Sequence, residues 1–321
     1  MNNDMLDLNT EDFISEDEIS LLVVEPQYEG MRLDKYLTKL NESMSRSYIQ
    51  KLIKDDHVVI NGKPAKSNYK LSAQDEIEFN IPTPVSIDIL PEDIPLSILY
   101  EDNDLIVIDK PKNMVVHPAP GYYSGTIVNA LMYHCKDNLS GINGVLRPGI
   151  VHRIDKNTTG AIVICKNDMA HNSLAAQLKD HSITRKYNAI VYNHFNNEEG
   201  LVDAPIGRHP IDRKKMAINY KNGREAITHY HVIQNLDQNF AHIECQLETG
   251  RTHQIRVHLT SINHPLLGDD VYGPAKSKFN LEGQTLHARI LGFKHPSTGE
   301  YMEFKAPLPD YFKSILNILT V

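Results

Sequence analysis

The segment GIVHRIDKNTTGAIVICK, residues 149–166, places a single acidic residue at the start of a polar turn. This residue, Asp155, follows an apolar and basic stretch, and the turn leads into an apolar run at 161–165 that predicts a strand. Because Arg153 and Lys156 flank the carboxylate, it should stay ionised, which suits a nucleophile better than a general acid. An aspartate in a surface salt bridge would produce the same local pattern, so these residues alone support both interpretations.

A second segment, LETGRTHQIRVHLTSINHPLLGDDVYG at residues 247–273, combines a predicted helix with a cation at its start. Apolar residues recur with helical spacing through 252–262, and Arg251 stands just ahead of them. A guanidinium in that position can project into a cleft and pair in a bidentate manner with a carboxylate or a phosphate. His253 and His258 lack the HExxH pattern, so we predict no metal site here and interpret His258 as a structural histidine.

A third segment, ITRKYNAIVYN at residues 183–193, places an aromatic residue beside two cations in a predicted strand. Tyr187 follows Arg185 and Lys186. An RNA-binding site needs an aromatic ring that stacks on a base and nearby cations that contact phosphates, and this segment offers both. Tyrosine also packs well in ordinary strands, and taken alone the segment fits that simpler interpretation.

Charge is unevenly distributed along the 321 residues. The formal net charge is −8, but residues 1–29 contain nine acidic residues and no Lys or Arg. The rest of the chain holds 33 basic and 32 acidic residues, so the overall acidity does not exclude a nucleic-acid partner. A basic excess lies within 31–54, where two helices are predicted, and its cations could follow a phosphate backbone or simply face solvent. The candidate RNA-binding residues in this helix pair are Arg32, Lys35, Arg46, Lys51 and Lys54.

Composition divides the chain into four parts. Residues 1–29 predict a disordered acidic tail that ends in a short strand at 21–25. A compact module over 30–82 follows. The proline-rich segment 83–95 predicts a linker, because proline sustains neither a helix nor a central strand. Residues 96–321 form the larger domain.

Each folded part has its own predicted pattern. In the module the order is helix, helix, strand, turn and strand, and Ser47 and Gln50 have the spacing of a capping box at the second helix. In the larger domain strands do not alternate regularly with helices, so we expect an α+β domain with a central mixed, largely antiparallel sheet. The predicted strands are 105–108, 161–165, 187–192, 227–233 and 241–247, and a further helix is predicted over 167–179 with Asn167 or Asp168 as its cap.

Composition also excludes several classes of protein. Apolar residues make up 41% of the chain, and no apolar run reaches the roughly 18 residues of a membrane-spanning helix. The N-terminal residues lack the basic and apolar pattern of a secretion signal. Cys135, Cys165 and Cys245 are far apart and form no CxxC, which indicates a reducing compartment and no Cys-built zinc site. We therefore expect a cytoplasmic protein with no membrane partner.

Together these segments resemble the motifs of the RluA-type ribosomal large-subunit pseudouridine synthases. The HRxDxxTxG motif is present as HRIDKNTTG at 152–160. Three further stretches are similar to family motifs, namely YEDNDLIVIDKPKNMVVHPAPG, GRTHQIRVH and HPLLGDDVYG at 100–121, 250–258 and 264–273. The module at 30–82 resembles an S4 RNA-binding domain, and the whole organisation is similar to the RluD-like subgroup. Several motifs in the family's order make the resemblance specific.

The resemblance implies a pseudouridine synthase fold beside a small α/β S4-like domain. It also implies an enzyme that isomerises specific uridines in RNA without a metal ion or another cofactor. By resemblance, Asp155 is the catalytic aspartate, and Arg251 pairs with it. Tyr187 matches the tyrosine that stacks on the extruded base, and Arg153 matches the arginine that enters the RNA where that base leaves the stack.

RNA is the partner that the resemblance implies, and we expect the protein to be a monomer. The expected substrate is large-subunit ribosomal RNA, either free or within an assembling large subunit. Two alternatives stay open. One is transfer RNA as the substrate, since related synthases modify both kinds of RNA, and the other is a non-catalytic RNA-binding scaffold.

Overall fold

The computed structural model describes residues 18–41, 44–81, 89–119, 122–136, 138–142, 147–212, 215–274 and 279–320. The chain divides into two compact units, Met1–Ser86 and Ile87–Val321. Residues 1–17 of the predicted tail and 83–88 of the predicted linker lie outside the described residues. Among the helices that the structure describes, none is both long enough and apolar enough to cross a membrane.

The first unit combines two helices with a four-stranded antiparallel sheet. Its core is formed by apolar residues that include Leu33, Leu37, Ile49, Ile53 and Phe79. The strands follow the order β1-β4-β2-β3. The elements are β1 (Glu18–Val23), a 3₁₀ turn (Pro26–Tyr28), α1 (Leu33–Leu40), α2 (Arg46–Lys54), β2 (Val58–Ile60), β3 (Lys63–Pro64) and β4 (Glu76–Ile81).

The N-terminal boundary of this unit differs from the predicted one. β1 pairs with β4 along its whole length, from Glu18 opposite Ile81 to Val23 opposite Glu76. Residues 18–29 therefore belong to the folded unit rather than to a disordered tail. The physical reason is the apolar run at 21–24 together with Ile19, which allows an edge strand to form despite the acidic residues around it.

The N-cap of α2 is Ser45 and not the predicted Ser47. Ser45 has extended backbone angles (φ −69°, ψ 147°), and its hydroxyl accepts a hydrogen bond from the amide of Tyr48 at 3.3 Å. Ser47 already lies within the first helical turn, so the predicted spacing was two residues out of register.

A buried carboxylate joins the two helices. The Asp34 side chain is fully buried in α1. It accepts hydrogen bonds from Arg32 (3.0 Å), Arg46 (2.8 Å) and Gln50 (2.7 Å). The bond from Arg32 lowers the pKa of Asp34, burial opposes this, and the bonds from Arg46 and Gln50 lower the pKa further. Two of the five candidate RNA-binding cations are thus held in ion pairs. The other three are exposed, namely Lys35, Lys51 and Lys54.

The second unit is built on a sheet that has nine strands within the described residues. The strand order is β5-β6-β7-β14-β8-β13-β12-β9, and β15 pairs with β14. The strands are β5 (Ile98–Glu101), β6 (Leu105–Lys110), β7 (Thr159–Cys165), β8 (Thr184–Tyr192), β9 (Glu199–Asp203), β10 (Ile206–Arg208), β11 (Met216–Ile218), β12 (Ile227–Leu236), β13 (Phe240–Leu247), β14 (Leu286–Lys294) and β15 (Tyr301–Lys305). The helices are α3 (Ile127–Cys135), α4 (Asp168–Lys179), α5 (Gln254–Ser261) and α6 (Asp310–Leu319).

The predicted mixed, largely antiparallel sheet is confirmed. Within the described part of this sheet β7 and β14 run parallel, and the other pairings are antiparallel. The close approach of β14 requires a glycine at Gly160 (φ +110°), because a Cβ there would overlap the backbone of Ala288. Each of the five predicted strands is present and longer than predicted, and α4 has Asn167 as its N-cap.

One core cluster brings the three chemistry-bearing segments together. It contains Ile154 from the segment ahead of β7, Tyr187 from β8, and Ile255 and Leu259 from α5. These apolar contacts fix the start of β7, the middle of β8 and the start of α5 relative to one another. Polar residues adjacent to these positions therefore face a common space.

Asp34→Asn should destabilise the first unit by about 1–3 kcal/mol, because two guanidinium groups lose their charged partner. Since the pKa of Asp34 in the folded chain lies below its unfolded value of about 3.9, its stabilising contribution is present above that value and is lost as the pH falls towards the folded pKa. Hydrogen exchange of α1 and α2 in the full chain measures this effect. The matched control is Asp56→Asn at an exposed position, and equal exchange in the two variants at pH 7 would contradict the assignment.

Candidate active site

A cavity of about 490 Å³ in the second unit is lined by residues of all three segments. Four of the predicted site residues lie on its wall, namely Arg153, Asp155, Tyr187 and Arg251. The other lining residues are Val151, His152, Ile154, Thr158, Leu178, Lys179, His181, Arg185, Leu247, Gly250, His253, Gln254, Ile255, Arg256 and Leu286.

Asp155 lies in a tight turn at the start of β7. Its carbonyl oxygen accepts a hydrogen bond from the Thr158 amide at 3.0 Å. Just before it, His152 accepts a hydrogen bond at Nε2 from the Val163 amide at 3.1 Å. Burial lowers the pKa of His152 to about 3, so the ring is neutral and carries its proton on Nδ1. The turn is thereby tied to the strand that follows it.

A buried lysine supports the same turn. Lys110, at the end of β6, is fully buried, and its Nζ donates hydrogen bonds to the carbonyl oxygens of Pro111 (2.8 Å), Met114 (2.9 Å) and Lys156 (3.0 Å). Burial lowers the pKa of Lys110 to about 7, and the charge of Asp155 opposes that shift. The contact with Lys156 fixes the residue directly after Asp155.

The carboxylate of Asp155 pairs with a buried guanidinium. Arg256 Nη1 lies 3.1 Å from Asp155 Oδ2, and the Arg256 side chain is 5% exposed. The same group binds Asp269 in a bidentate manner, through Nε at 2.7 Å and Nη2 at 2.9 Å. Burial lowers the pKa of Arg256, but the bonds to Asp269 and the charge of Asp155 outweigh it and raise the pKa above its ordinary value. Two carboxylates thus share one permanent cation.

The predicted pairing of Asp155 with Arg251 is corrected by this geometry. Arg251 Nε donates to the carbonyl oxygen of Glu225 at 2.8 Å, and the Arg251 amide donates to Gln254 Oε1 at 2.9 Å. α5 begins at Gln254, so Arg251 lies in the preceding turn, whereas Arg256 is on the helix and contacts Asp155. Arg251 stays on the cavity wall and is partly exposed.

Satisfied polar groups fix the start of α5. The buried Gln254 side chain donates to the carbonyl oxygen of Ile227 (2.9 Å) and to Thr228 Oγ1 (3.0 Å). His258, one turn later, has Nδ1 2.9 Å from Thr228 Oγ1 and Nε2 2.9 Å from the carbonyl oxygen of Ala204. The interpretation of His258 as a structural histidine is confirmed, because both of its ring nitrogens have protein partners.

His253 also faces Asp155, a contact that sequence analysis missed. It occupies the left-handed region (φ 57°, ψ 22°), and its Nε2 lies 3.9 Å from Asp155 Oδ2. Its Nδ1 lies 2.8 Å from the hydroxyl of Tyr272, which accepts a hydrogen bond from the Met216 amide at 2.8 Å. When this hydroxyl donates its one proton to Nδ1, the ring proton is on Nε2 and faces Asp155.

Tyr187 and Arg153 occupy contrasting positions on the cavity wall. Tyr187 lies on β8, opposite Cys245 of β13 and Ala288 of β14, and is 8% exposed. Burial raises the pKa of Tyr187, Arg185 opposes this shift and Asp155 adds to it, so the hydroxyl stays protonated at neutral pH. Arg153 is exposed and can reach out of the cavity.

Among the described residues, one cluster has residue types suited to a metal ion, and it lies outside the cavity. It consists of Glu101, His134 and Cys135. The Glu101 carboxylate already binds His134 Nε2 at 2.9 Å and Lys166 Nζ at 2.9 Å. Burial raises the pKa of the Cys135 thiol to about 11, which keeps it protonated and makes it a poor ligand.

Comparison with known proteins identifies both units. A family model described as RNA pseudouridylate synthase matches residues 104–261, and an S4 domain model matches residues 31–77. The chain is 51% identical to the uncharacterized RNA pseudouridine synthase YlyB of Bacillus subtilis strain 168, over 90% of this chain and 94% of the relative. The chain belongs to the RNA pseudouridylate synthase family. It is an RNA pseudouridine synthase with an S4 domain, as its motifs predicted.

Further relatives of this pseudouridine synthase match a similar share of the chain. Identity to the ribosomal large subunit pseudouridine synthase D of Zymomonas mobilis is 46%, over 91% of this chain and 95% of the relative. Identity to the protein of the same name from Haemophilus influenzae is 42%, over 92% and 93%. The solved structure of human RNA pseudouridylate synthase domain containing 4 aligns with a TM-score of 0.53 at 26% identity, over 69% of this chain and 92% of that chain.

Arg256→Lys should lower the single-turnover rate of pseudouridine formation by about 100- to 1,000-fold, because a single ammonium cannot hold Asp155 and Asp269 together. Arg251→Lys, the matched control, should change this rate by less than about 5-fold, because Arg251 does not pair with Asp155. Both rates are measured with saturating enzyme on an RNA that the parent modifies, after thermal melting has shown that each variant folds. A larger loss for Arg251→Lys would restore the original assignment.

Proposed function

We propose that this RNA pseudouridine synthase modifies uridines of large-subunit ribosomal RNA and that Asp155 is its catalytic carboxylate. The observation that carries this proposal is the environment of that carboxylate. It is 20% exposed in a cavity, and the buried guanidinium of Arg256 lies 3.1 Å away. A catalytic carboxylate needs this combination of access to the substrate and a fixed position.

The reaction is an isomerisation that needs no external group. The N1–C1′ bond of uridine breaks, the uracil rotates, and a C5–C1′ bond forms, while the proton of C5 is lost and N1 gains one. Asp155 could attack C1′ of the sugar, attack C6 of the base, or deprotonate C2′, and each path starts from an ionised Asp155. We propose that it proceeds without a metal ion or another cofactor.

The second carboxylate near the cavity has a different role. The Asp269 side chain is fully buried and is held by two hydrogen bonds from Arg256. A glycosidase mechanism would require two carboxylates that both reach the substrate. The position of Asp269 instead supports a mechanism in which Asp155 acts alone and Asp269 positions Arg256.

The remaining wall residues support base extrusion from the RNA. Tyr187 presents an aromatic ring beside Asp155, as stacking on an extruded uracil requires. The exposed Arg153 can fill the vacated position in the RNA stack, and Arg251 can contact the RNA near the cavity mouth. These roles follow from the family motif and agree with the exposure of each residue.

Ribosomal RNA is supported as the substrate by two features. Relatives at 46% and 42% identity are named ribosomal large subunit pseudouridine synthase D, and the S4 domain adds a second RNA-binding unit. Transfer RNA is the alternative substrate. A non-catalytic scaffold is less well supported, because a scaffold does not require an accessible carboxylate held beside a buried guanidinium in a cavity.

Asp155→Asn should abolish pseudouridine formation and leave RNA affinity within about 3-fold, because the amide keeps the shape of the side chain and loses its charge. The assay maps pseudouridine in large-subunit ribosomal RNA and in transfer RNA after incubation with each protein, and the exposed Asp93→Asn serves as control. Chelators should leave the parent's activity unchanged. Product from Asp155→Asn would refute its role, and product on transfer RNA alone would replace the substrate.

The exposed lysines of the S4 domain should make most of its phosphate contacts. Replacing Lys35, Lys51 and Lys54 together with Ala should reduce the slope of log affinity against log salt by about 2, at roughly 0.7 for each lost contact with single-stranded RNA. The matched control replaces Lys63, Lys66 and Lys70, which are exposed in the same unit outside the helix pair. Equal slopes for the two triple variants would place the RNA on another surface.

A further inference from the structure

A second buried guanidinium lines the cavity, and among the described residues it has no carboxylate partner. Arg185, on β8, is 7% exposed, and its Nη2 donates to the carbonyl oxygen of Glu248 at 2.8 Å. Its Nε is buried and makes no hydrogen bond within the described residues. No described carboxylate lies within 4 Å of its nitrogens, whereas Arg256 binds two.

This arrangement is costly unless an anion completes it. Burying a cation without a counter-charge costs several kcal/mol, and a buried donor without an acceptor adds to that cost. The nearby charge of Arg251 makes the environment still less favourable for a second cation. Neutralisation by deprotonation is not available, because a guanidinium stays charged in proteins. A negative charge from outside the described residues would offset this cost.

The position of Arg185 indicates where that charge would lie. Side chains two residues apart on a strand share a face, so Arg185 and Tyr187 both face the cavity. Gly250 packs against the guanidinium so closely that a Cβ there would lie 2.6 Å from Arg185 Nη1. Lys179 and Arg251 line the same cavity and add positive charge.

We propose that Arg185 forms an anion site that binds a backbone phosphate of the RNA next to the target nucleotide. This inference rests on the proposed function, because it assumes that the target base enters the cavity beside Tyr187. A phosphodiester fits the site better than the uracil does, since the base is neutral and the phosphate carries a full charge. Guanidinium groups bind phosphate oxygens with strong, charge-assisted hydrogen bonds.

The test measures the affinity of a short ribosomal RNA hairpin that the parent converts to product. Arg185→Gln should weaken binding by about 10- to 100-fold, the loss expected for a charge-assisted hydrogen bond, and should leave the single-turnover rate at saturating RNA within about 3-fold. Lys186→Gln is the matched control. The sequence placed Lys186 beside Tyr187 as a candidate phosphate contact, but its side chain pairs with Glu244 at 3.1 Å and does not line the cavity, so its loss should change affinity by less than about 2-fold.

The phosphate is identified by replacing single phosphates of the hairpin with neutral methylphosphonates. One replacement next to the target uridine should weaken binding to the parent and have no further effect on Arg185→Gln, because both changes remove the same contact. If Arg185→Gln fails to fold, Gly250→Ala serves in its place, because the added Cβ keeps the charge of Arg185 but displaces its guanidinium. The methylphosphonate that weakens binding to the parent should likewise have no further effect on Gly250→Ala.

Two outcomes would overturn the proposal. In the first, Arg185→Gln lowers the single-turnover rate and leaves the RNA affinity unchanged, which would indicate that Arg185 stabilises charge that develops on the uracil. In the second, every methylphosphonate weakens binding to Arg185→Gln as much as to the parent, which would indicate that Arg185 contacts none of these phosphates. Neither outcome affects the proposed function, which fails separately if the parent converts no ribosomal RNA hairpin.

Discussion

The architecture of the candidate active site depends on one guanidinium shared between two carboxylates. Arg256 is held by two hydrogen bonds to the buried Asp269, which leaves Nη1 to contact Asp155 at 3.1 Å. A buried ion pair need not add stability, because desolvation cancels much of the attraction. What the arrangement supplies is position and charge: it holds a cation beside a carboxylate that is still accessible from the cavity. The position of the proposed catalytic carboxylate therefore depends on Asp269, which holds Arg256, as well as on the turn that carries Asp155.

The contact between Arg256 and Asp155 depends on two sets of hydrogen bonds from different parts of the chain. On one side, the Lys110 ammonium binds three carbonyl oxygens and holds the turn that carries Asp155. On the other, the buried Gln254 side chain fixes the first turn of α5, which carries Arg256. Both supports are polar groups whose hydrogen bonds are satisfied inside the protein, so neither side can shift without leaving a buried donor unpaired.

The mixed sheet was predictable from the sequence, and Asp155 could be picked out as the proposed catalytic aspartate, but the geometry around it could not be predicted. Apolar runs such as 161–165 indicate strands locally, and the motif at 152–160 points to Asp155. The partner of Asp155 depends on where α5 begins, and a helix boundary is uncertain by two residues or more from sequence. Arg251 was expected to pair with Asp155 because of the family resemblance, whereas the residue that contacts Asp155 is Arg256, on α5. Lys110 was not predictable in this way, because its burial results from contacts with Lys156, distant in sequence.

Arg256 and Arg185 show why residue type alone does not assign a role. Both are buried on the wall of one cavity, at 5% of the side chain and 7% of the residue exposed. The acidic partners of Arg256 are Asp155 and Asp269 of this chain, so its charge is already neutralised within the site. Among the described residues Arg185 has only a carbonyl oxygen as its partner, so its charge is still available. A cavity whose wall holds a buried cation without a described acidic partner is suited to a substrate that brings its own negative charge, and RNA is such a substrate.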